Sequence, residues 1–304
     1  MKRITIAGRI EASAVAVGCM RITDAKVPAA ELISTALDLG IDFFDHADIY
    51  GGGKCEEVFG GYLAASPSLR NKITIQTKCG IRRGYYDFSK RHIISSVEGS
   101  LKRLRTDYID ILLLHRPDAL MEPEEVAEAF SELERDGKVR FFGVSNHNPM
   151  QIELLKTAVS QPIIVNQLQF SIPESGLVAS GLNVNMKNPE SVMHDGGALE
   201  YMRIKGITMQ AWSPFQGGFF EGPFVGNREK YPELNKKLDE LAKKYGVTPT
   251  AIASAWILGH PAKIQLISGS VSPDRIKEIA RGADIELSRE DWYALYLAAG
   301  YRLP

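Results

Sequence analysis

Eight short apolar runs, each followed by a longer stretch of helical character, constrain this chain more than any other feature. The runs are Val15–Gly18, Phe43–His46, Ile73–Lys78, Ile109–His115, Phe141–Ser145, Val165–Phe170, Thr208–Trp212 and Ile264–Ile267. Short apolar runs alternating with amphipathic segments are the pattern of βα units, whose strands lie parallel in one sheet. Eight such units in 304 residues favour a closed α/β fold, the (β/α)8 TIM barrel, over an open doubly wound sheet. No Gly-x-Gly-x-x-Gly follows the first run, which speaks against a Rossmann arrangement.

Helical patterns fill the gaps, among them Ala29–Leu39, Arg91–Arg103, Glu124–Asp136 and Met150–Ala158. Gly40 and Gly137 stand where helices end, and Pro123, Pro149 and Pro273 where they begin. The opening residues Ile4–Ser13 predict a small hairpin ahead of the barrel. Glu233–Tyr245 and Pro249–Gly259 predict two helices after the seventh strand where one suffices, and Ser288–Ala299 adds another at the C-terminus. Two segments are longer than ordinary connections, Ile172–Gly197 and Gln216–Tyr231. On the C-terminal side of a barrel such loops are natural lids. The expected organisation is a single domain over residues 1–304.

Charge excludes several partners. With 36 basic and 37 acidic residues the net charge is −1, so nothing attracts the chain to nucleic acid or to an anionic membrane surface. Cys19, Cys55 and Cys79 show no Cys-x-x-Cys spacing and read as reduced thiols rather than a disulfide frame or zinc site. The N-terminus shows no secretory apolar segment, and no stretch approaches the ~20 apolar residues of a membrane span. The expected compartment is the cytoplasm. The sequence is silent on oligomeric state.

Asp45, Tyr50, Lys78 and His115 sit at or just beyond the ends of the second, third and fourth runs. In a parallel barrel those ends open onto one mouth, where active sites are built. Asp45 follows Phe43-Phe44, and Lys78 closes Ile73-Thr74-Ile75-Gln76-Thr77, so both charges end buried runs and are cheapest if they meet. Lys78 would then lie near Tyr50 and lower its pKa, making the phenol a proton donor to a carbonyl oxygen. His115 would add an N–H to the same oxygen. None of the four supplies a hydride, which points to a cofactor. Taken singly, each has a plain structural explanation: a cap or ion-pair partner for Asp45, turn packing for Tyr50, a solvated terminus for Lys78, a satisfied core imidazole for His115. The four together, at related barrel positions, point to a site.

On these residues the sequence resembles the aldo-keto reductase superfamily, along almost its whole length. DFFDHADIYGGGKCEEVFG is similar to the family's segment around its catalytic Asp and Tyr, ITIQTKCG to its Lys motif, and YIDILLLHRPD to its His motif. GKVRFFGVSNH, VNQLQFS, MQAWSPFQGG and LISGSVSPDRIKEIA continue the match. DHADIYGG, KCGI and HRPDALM together resemble a bacterial branch of oxidoreductases.

The resemblance implies a (β/α)8 barrel that binds NADPH (NADP+) across its mouth. It assigns Asp45, Tyr50, Lys78 and His115 as catalytic. Ser145, Asn146 and Gln167 would hydrogen-bond the nicotinamide carboxamide, and Trp212 would stack on the ring. Ser213, Pro214, Phe215 and Gly217 would line the pyrophosphate, with Gly18 and Met20 along the other flank, and Asp45 would also contact the cofactor. Ser270 and Arg275 match positions that contact the adenosine 2′-phosphate, where a guanidinium beside a helix N-terminus suits a phosphate. Gly269 stands where many members carry a lysine and Ile279 where many carry an asparagine, which leaves room for NADH. His46 replaces a commoner small residue.

The function implied is reduction of a small-molecule aldehyde or ketone, with no metal. Met20, Tyr50, Tyr85 and Phe219, if they line the cleft, lean toward bulky or aromatic carbonyls. Two other readings stay open: an NADP(H)-binding sensor with little turnover, and a Schiff-base lyase working through Lys78.

Overall fold

The computed structural model describes residues 1–219 and 221–304. Strands β1 (Arg3–Ile6) and β2 (Ile10–Ser13) pair antiparallel as the expected hairpin. The barrel then runs through β3 (Val15–Gly18), β4 (Phe43–Asp45) and β5 (Thr74–Cys79). A second small hairpin, β6 (Ile81–Arg82) and β7 (Tyr85–Tyr86), follows β5. The barrel resumes with β8 (Ile109–Leu114), β9 (Val139–Ser145), β10 (Ile163–Gln169), β11 (Thr208–Trp212) and β12 (Gln265–Ser268). These eight close in the order β3-β4-β5-β8-β9-β10-β11-β12, every neighbour parallel.

The barrel strands are buried nearly throughout because both faces are covered. Ile109–Leu114 is buried at all six positions. The ring of helices is α1 (Ala29–Asp38), α2 (Lys54–Ala65), α3 (Lys90–Leu104), α4 (Pro123–Arg135), α5 (Pro149–Leu155), α6 (Gly176–Leu182), α7 (Ala198–Lys205), α8 (Pro232–Tyr245), α9 (Pro249–Leu258), α10 (Pro273–Arg281) and α11 (Arg289–Ala298). Most helices turn one stripe inward, while α9 is buried on every face. On α4, Val126, Ala129, Phe130 and Leu133 recur at helical spacing and are buried. Phe130 stacks on Phe142 of β9 at 4.0 Å, so truncating it to Ala costs about 3–5 kcal/mol. The predicted caps hold: Pro123, Pro149 and Pro273 open α4, α5 and α10, while Gly40 and Gly137 take positive φ just beyond α1 and α4.

Both extra C-terminal helices are present. Trp256 of α9 and Trp292 of α11 stack at 4.6 Å, and each indole N–H donates to the other's carbonyl, at 3.0 and 2.9 Å. The two long segments carry more order than a loop reading expects. Ile172–Gly197 contains α6 and a short 3-10 turn, Pro189–Ser191. Of the segment 216–231, Gln216 and Pro223 form an isolated bridge, and Phe220 lies outside the described residues. No helix among the described residues is long and apolar enough to cross a membrane.

Candidate active site

The C-terminal ends of all eight barrel strands each deliver a residue to one mouth, seven of them polar or small and one the aromatic Trp212. Gly18 ends β3, Asp45 ends β4, Lys78 lies one residue from the end of β5, and His115 follows β8. Ser145 ends β9, Gln167 lies near the end of β10, Trp212 ends β11, and Gly269 follows β12. Over them opens a cleft of about 1260 Å³. That exceeds a drug-sized pocket and suits a dinucleotide with a small substrate beside it.

Lys78 is the centre of the polar cluster. It is fully buried, and its Nζ lies 2.7 Å from each Asp45 carboxylate oxygen, 2.9 Å from the His46 carbonyl and 3.2 Å from Tyr50 Oη. Burial alone would pull the ammonium's pKa down, but Asp45 and Tyr50 outweigh it and hold it above the ordinary lysine value. Lys78 therefore stays beneath the cleft wall, with Asp45 and Tyr50 reaching the cleft in its place.

Tyr50 opens a turn through Gly51, Gly52 and Gly53, whose φ values are 57°, 63° and 94°. Only glycine takes three such values in succession without strain, and the turn leads the chain from the barrel mouth into α2. The tyrosine ring meets the His115 ring edge-on at 5.9 Å. Sequence reasoning expects Lys78 to lower the phenol's pKa. The net direction is the reverse: burial, with a smaller push from Asp45, raises it above the ordinary tyrosine value, while Lys78 opposes the rise.

His115 is neutral. Burial first, then the Lys78 and Arg116 charges, press its pKa well below the ordinary histidine value. Its Nδ1 is buried with no hydrogen-bond partner among the described residues. The tautomer with hydrogen on Nε2 gives the cleft a donor and avoids an orphan N–H inside. His46, whose effect the sequence leaves open, points away from the cleft and meets Phe59 edge-on at 4.6 Å. Burial holds it neutral, with a pKa lowered to about 3.

The residues expected to hold a carboxamide bond one another. Ser145 Oγ donates to the Gln167 carbonyl at 2.9 Å, Asn146 Nδ2 donates to Ser145 Oγ at 2.8 Å, and Trp212 Nε1 donates to Asn146 Oδ1 at 3.0 Å. Asn146 and Ser213 both hold left-handed backbone, at φ 62° and 50°. Asn tolerates that region and Ser less so, which marks both turns as imposed by their surroundings.

Gly18, Met20, Ser213, Pro214, Phe215, Gly269, Ser270 and Arg275 also line the cleft. Gly217 and Tyr85 are not among the residues that line it. A Cβ on Gly217 would fall 1.8 Å from Tyr231 Oη, so the glycine makes room for that ring. Tyr85 is exposed and its neighbour Tyr86 lines the cleft, because the β6–β7 hairpin alternates its side chains.

Sequence reasoning missed two arginines. Arg21 donates from Nη2 to the Gly269 carbonyl at 2.7 Å, and a Cβ on Gly269 would lie 3.3 Å from that nitrogen. The guanidinium thus reaches the surface that a side chain at 269 would cover. Arg116 sits with its guanidinium 5.4 Å from the Trp212 ring. HRPD advertised Arg116 beside His115; nothing local flagged Arg21, whose partner lies 248 residues away.

Comparison with known proteins agrees with this geometry. A model of the aldo/keto reductase family matches residues 14–296. The chain is 39% identical to the uncharacterised oxidoreductase YcsN of Bacillus subtilis over the full length of both. It is 37% identical to a 6-dehydroglucose reductase of Agrobacterium fabrum, covering 98% of each chain. Among solved structures, the thermostable aldo-keto reductase Tm1743, crystallised with the inhibitor epalrestat, superposes with a TM-score of 0.77 at 26% identity, covering 98% of this chain and 100% of that one.

Proposed function

The chain belongs to the aldo/keto reductase family, and from that premise we propose that it reduces aldehyde or ketone carbonyls with NADPH, Tyr50 delivering the proton. The observation that carries this reading is the position of Lys78 between Asp45 and Tyr50. An ammonium has three hydrogens and no lone pair. Asp45 and the His46 carbonyl take two directions, and Tyr50 Oη accepts in the third. The phenolic hydrogen then points elsewhere, toward an acceptor in the cleft. As it leaves for a carbonyl oxygen, the charge growing on Oη meets an ammonium already in place. A phenol held above its ordinary pKa keeps its proton at neutral pH, as a general acid must. Neutral His115 donates from Nε2 to the same oxygen and fixes its position.

A bound nicotinamide dinucleotide supplies the hydride. Ser145, Asn146 and Gln167 would face its carboxamide, and Trp212 its ring. Both N–H groups of Gln167 are already used inside the barrel, so its Oε1 is the end left to accept from a carboxamide. Ser213, Pro214 and Phe215 would line the pyrophosphate. Ser270, Arg275 and Arg21 would meet the 2′-phosphate, Arg21 supplying the cation that Gly269 cannot. That set favours NADPH over NADH.

A Schiff-base role for Lys78 is disfavoured by the same contacts, since the amine is held protonated and hydrogen-bonded on all sides. A purely sensing role leaves Tyr50's free hydrogen and the His115 donor without a purpose. Two relatives named 6-dehydroglucose reductase point to a polyhydroxylated carbonyl as the first substrate class to try, and Arg116 and Gln169 in the cleft wall suit hydroxyl groups. The three buried free cysteines suit the reducing cytoplasm. The test is NADPH oxidation against sugar-derived and aromatic aldehydes, with Tyr50→Phe as the inactive control.

A further inference from the structure

Beneath the cluster, the barrel interior carries a continuous chain of glutamine amides where side chains of a parallel barrel are usually aliphatic. Gln76 (β5), Gln167 (β10), Gln210 (β11) and Gln265 (β12) are all buried. Strand register brings them to one level, with Gln210 beside both Gln167 and Gln265, and Gln76 beside Asp45. β5 and β11 stand opposite each other in the barrel order, so Gln76 and Gln210 meet across its centre.

The chain has a direction, and one backbone group sets it. Gln265 Nε2 donates to the Ser13 carbonyl at 2.8 Å, an oxygen that can only accept. That turns Gln265 Oε1 toward Gln210, whose Nε2 donates to it at 2.8 Å. Gln210 Nε2 also donates to Gln76 Oε1 at 3.0 Å, and Gln76 Nε2 donates back to Gln210 Oε1 at 2.8 Å, so the two form a reciprocal amide pair. With both its hydrogens committed, Gln210 serves Gln167 through the same Oε1, which accepts from Gln167 Nε2 at 2.9 Å. The Gln76 and Gln167 amides each have one hydrogen left, and both donate it to Asp45 Oδ1, at 2.6 and 3.2 Å. Flipping any one amide would set donor against donor or oxygen against oxygen.

We propose that Gln210 is a positioning residue, the hub of an amide relay that runs from the Ser13 carbonyl across the barrel and obliges Gln76 and Gln167 to present only N–H groups to Asp45. Asp45 Oδ1 then meets two amide donors and the Lys78 ammonium, with no acceptor among them. The carboxylate is fixed, and with it the direction in which Lys78 addresses Tyr50. The same lock fixes Gln167 Oε1 toward the cleft. This inference rests on the carbonyl-reductase reading for its kinetic consequence, but the relay itself does not depend on turnover.

Two measurements separate the two claims. On protein labelled with 15N at glutamine side chains, hydrogen exchange of the Gln76 and Gln167 Nε2 groups should be slow, and Gln210→Met should speed both while the backbone amides of β5 and β10 stay protected. In turnover with NADPH and an aldehyde, Gln210→Met should lower kcat by about tenfold or more, with KM for the aldehyde changed less than kcat. Gln265→Met, one step further back, should act in the same direction and more weakly; it decides the matter if Gln210→Met does not fold. Wild-type kcat in a folded Gln210→Met or Gln265→Met variant, or unchanged exchange at Gln76 and Gln167, overturns the relay. A wild-type protein that shows the exchange coupling but reduces no carbonyl instead overturns the functional reading.

Discussion

The Lys78 ammonium lies 3.2 Å from the Tyr50 hydroxyl and 2.7 Å from both oxygens of Asp45. It thereby hands one hydrogen to the tyrosine and leaves the tyrosine's own hydrogen for the cleft. Replacing Lys78 with Met removes that donor and strands Asp45 as a buried charge beside an apolar chain. The expected result is loss of most turnover together with a fall in stability of about 3–5 kcal/mol, read by denaturant unfolding. Full stability in Lys78→Met would show that the pair is not what satisfies Asp45.

Arg21 should discriminate between the two dinucleotides. Arg21→Ala is expected to weaken NADPH binding by roughly tenfold to a hundredfold, the worth of a charge-assisted hydrogen bond, and to leave NADH nearly unchanged. Titration of cofactor into the variant, followed by protein fluorescence, checks this. An equal loss for both cofactors would move Arg21 from the 2′-phosphate to a shared part of the site.

In the proposed chemistry His115 acts as a neutral donor, so its ionisation should leave no mark on the rate near neutrality. Its pKa is pressed well below 6.5 by burial and by Lys78 and Arg116. The kcat profile should show no inflection from an imidazole between about pH 6 and pH 8. An acid limb centred near pH 6.5 that His115→Asn removes would contradict the neutral assignment.

Acid should destabilise the fold through histidines that burial, full or partial, holds neutral. His46, His147 and His260 have pKa values lowered to about 3, 4 and 4, chiefly by burial. Each contributes stability that is complete above its unfolded pKa near 6.5 and is lost as pH falls through the folded value. Asp48 runs the other way: burial raises it to about 6, so its contribution is full below about pH 4 and fades as pH rises through 6. Three histidines outweigh one carboxyl, so the unfolding free energy, read by denaturant titration, should drop steadily from pH 7 to pH 5. His46→Leu should flatten that slope by about one proton's worth, ~1.4 kcal/mol per pH unit. An identical slope in the variant would remove His46 from the account.

Much of this architecture was legible because its signals are local. Eight apolar runs and their helical sequels specify a parallel barrel, and the proline and glycine stops fall where caps form. Asp45, Tyr50 and His115 reach one cleft because strand ends fix their positions, with Lys78 directly beneath. What the sequence hid depends on distance in the chain or on burial. Arg21 meets Gly269 only after the barrel closes, and the Gln210 relay needs register across opposite strands. The rise in the Tyr50 pKa was invisible because a sequence names the charged neighbours but not how much water the fold removes. At Gly217 the sequence could not show that a Cβ would meet Tyr231, a contact that forms only in the fold.

The most direct test of the proposed chemistry is a single turnover with NADPH already bound. Wild type and Tyr50→Phe would be mixed with an aldehyde and the loss of NADPH absorbance followed in the stopped flow. The account predicts that Tyr50→Phe binds NADPH with an affinity close to wild type and oxidises it roughly 100- to 10,000-fold more slowly. A variant that binds NADPH and oxidises it at the wild-type rate would contradict the assignment of Tyr50 as the proton donor.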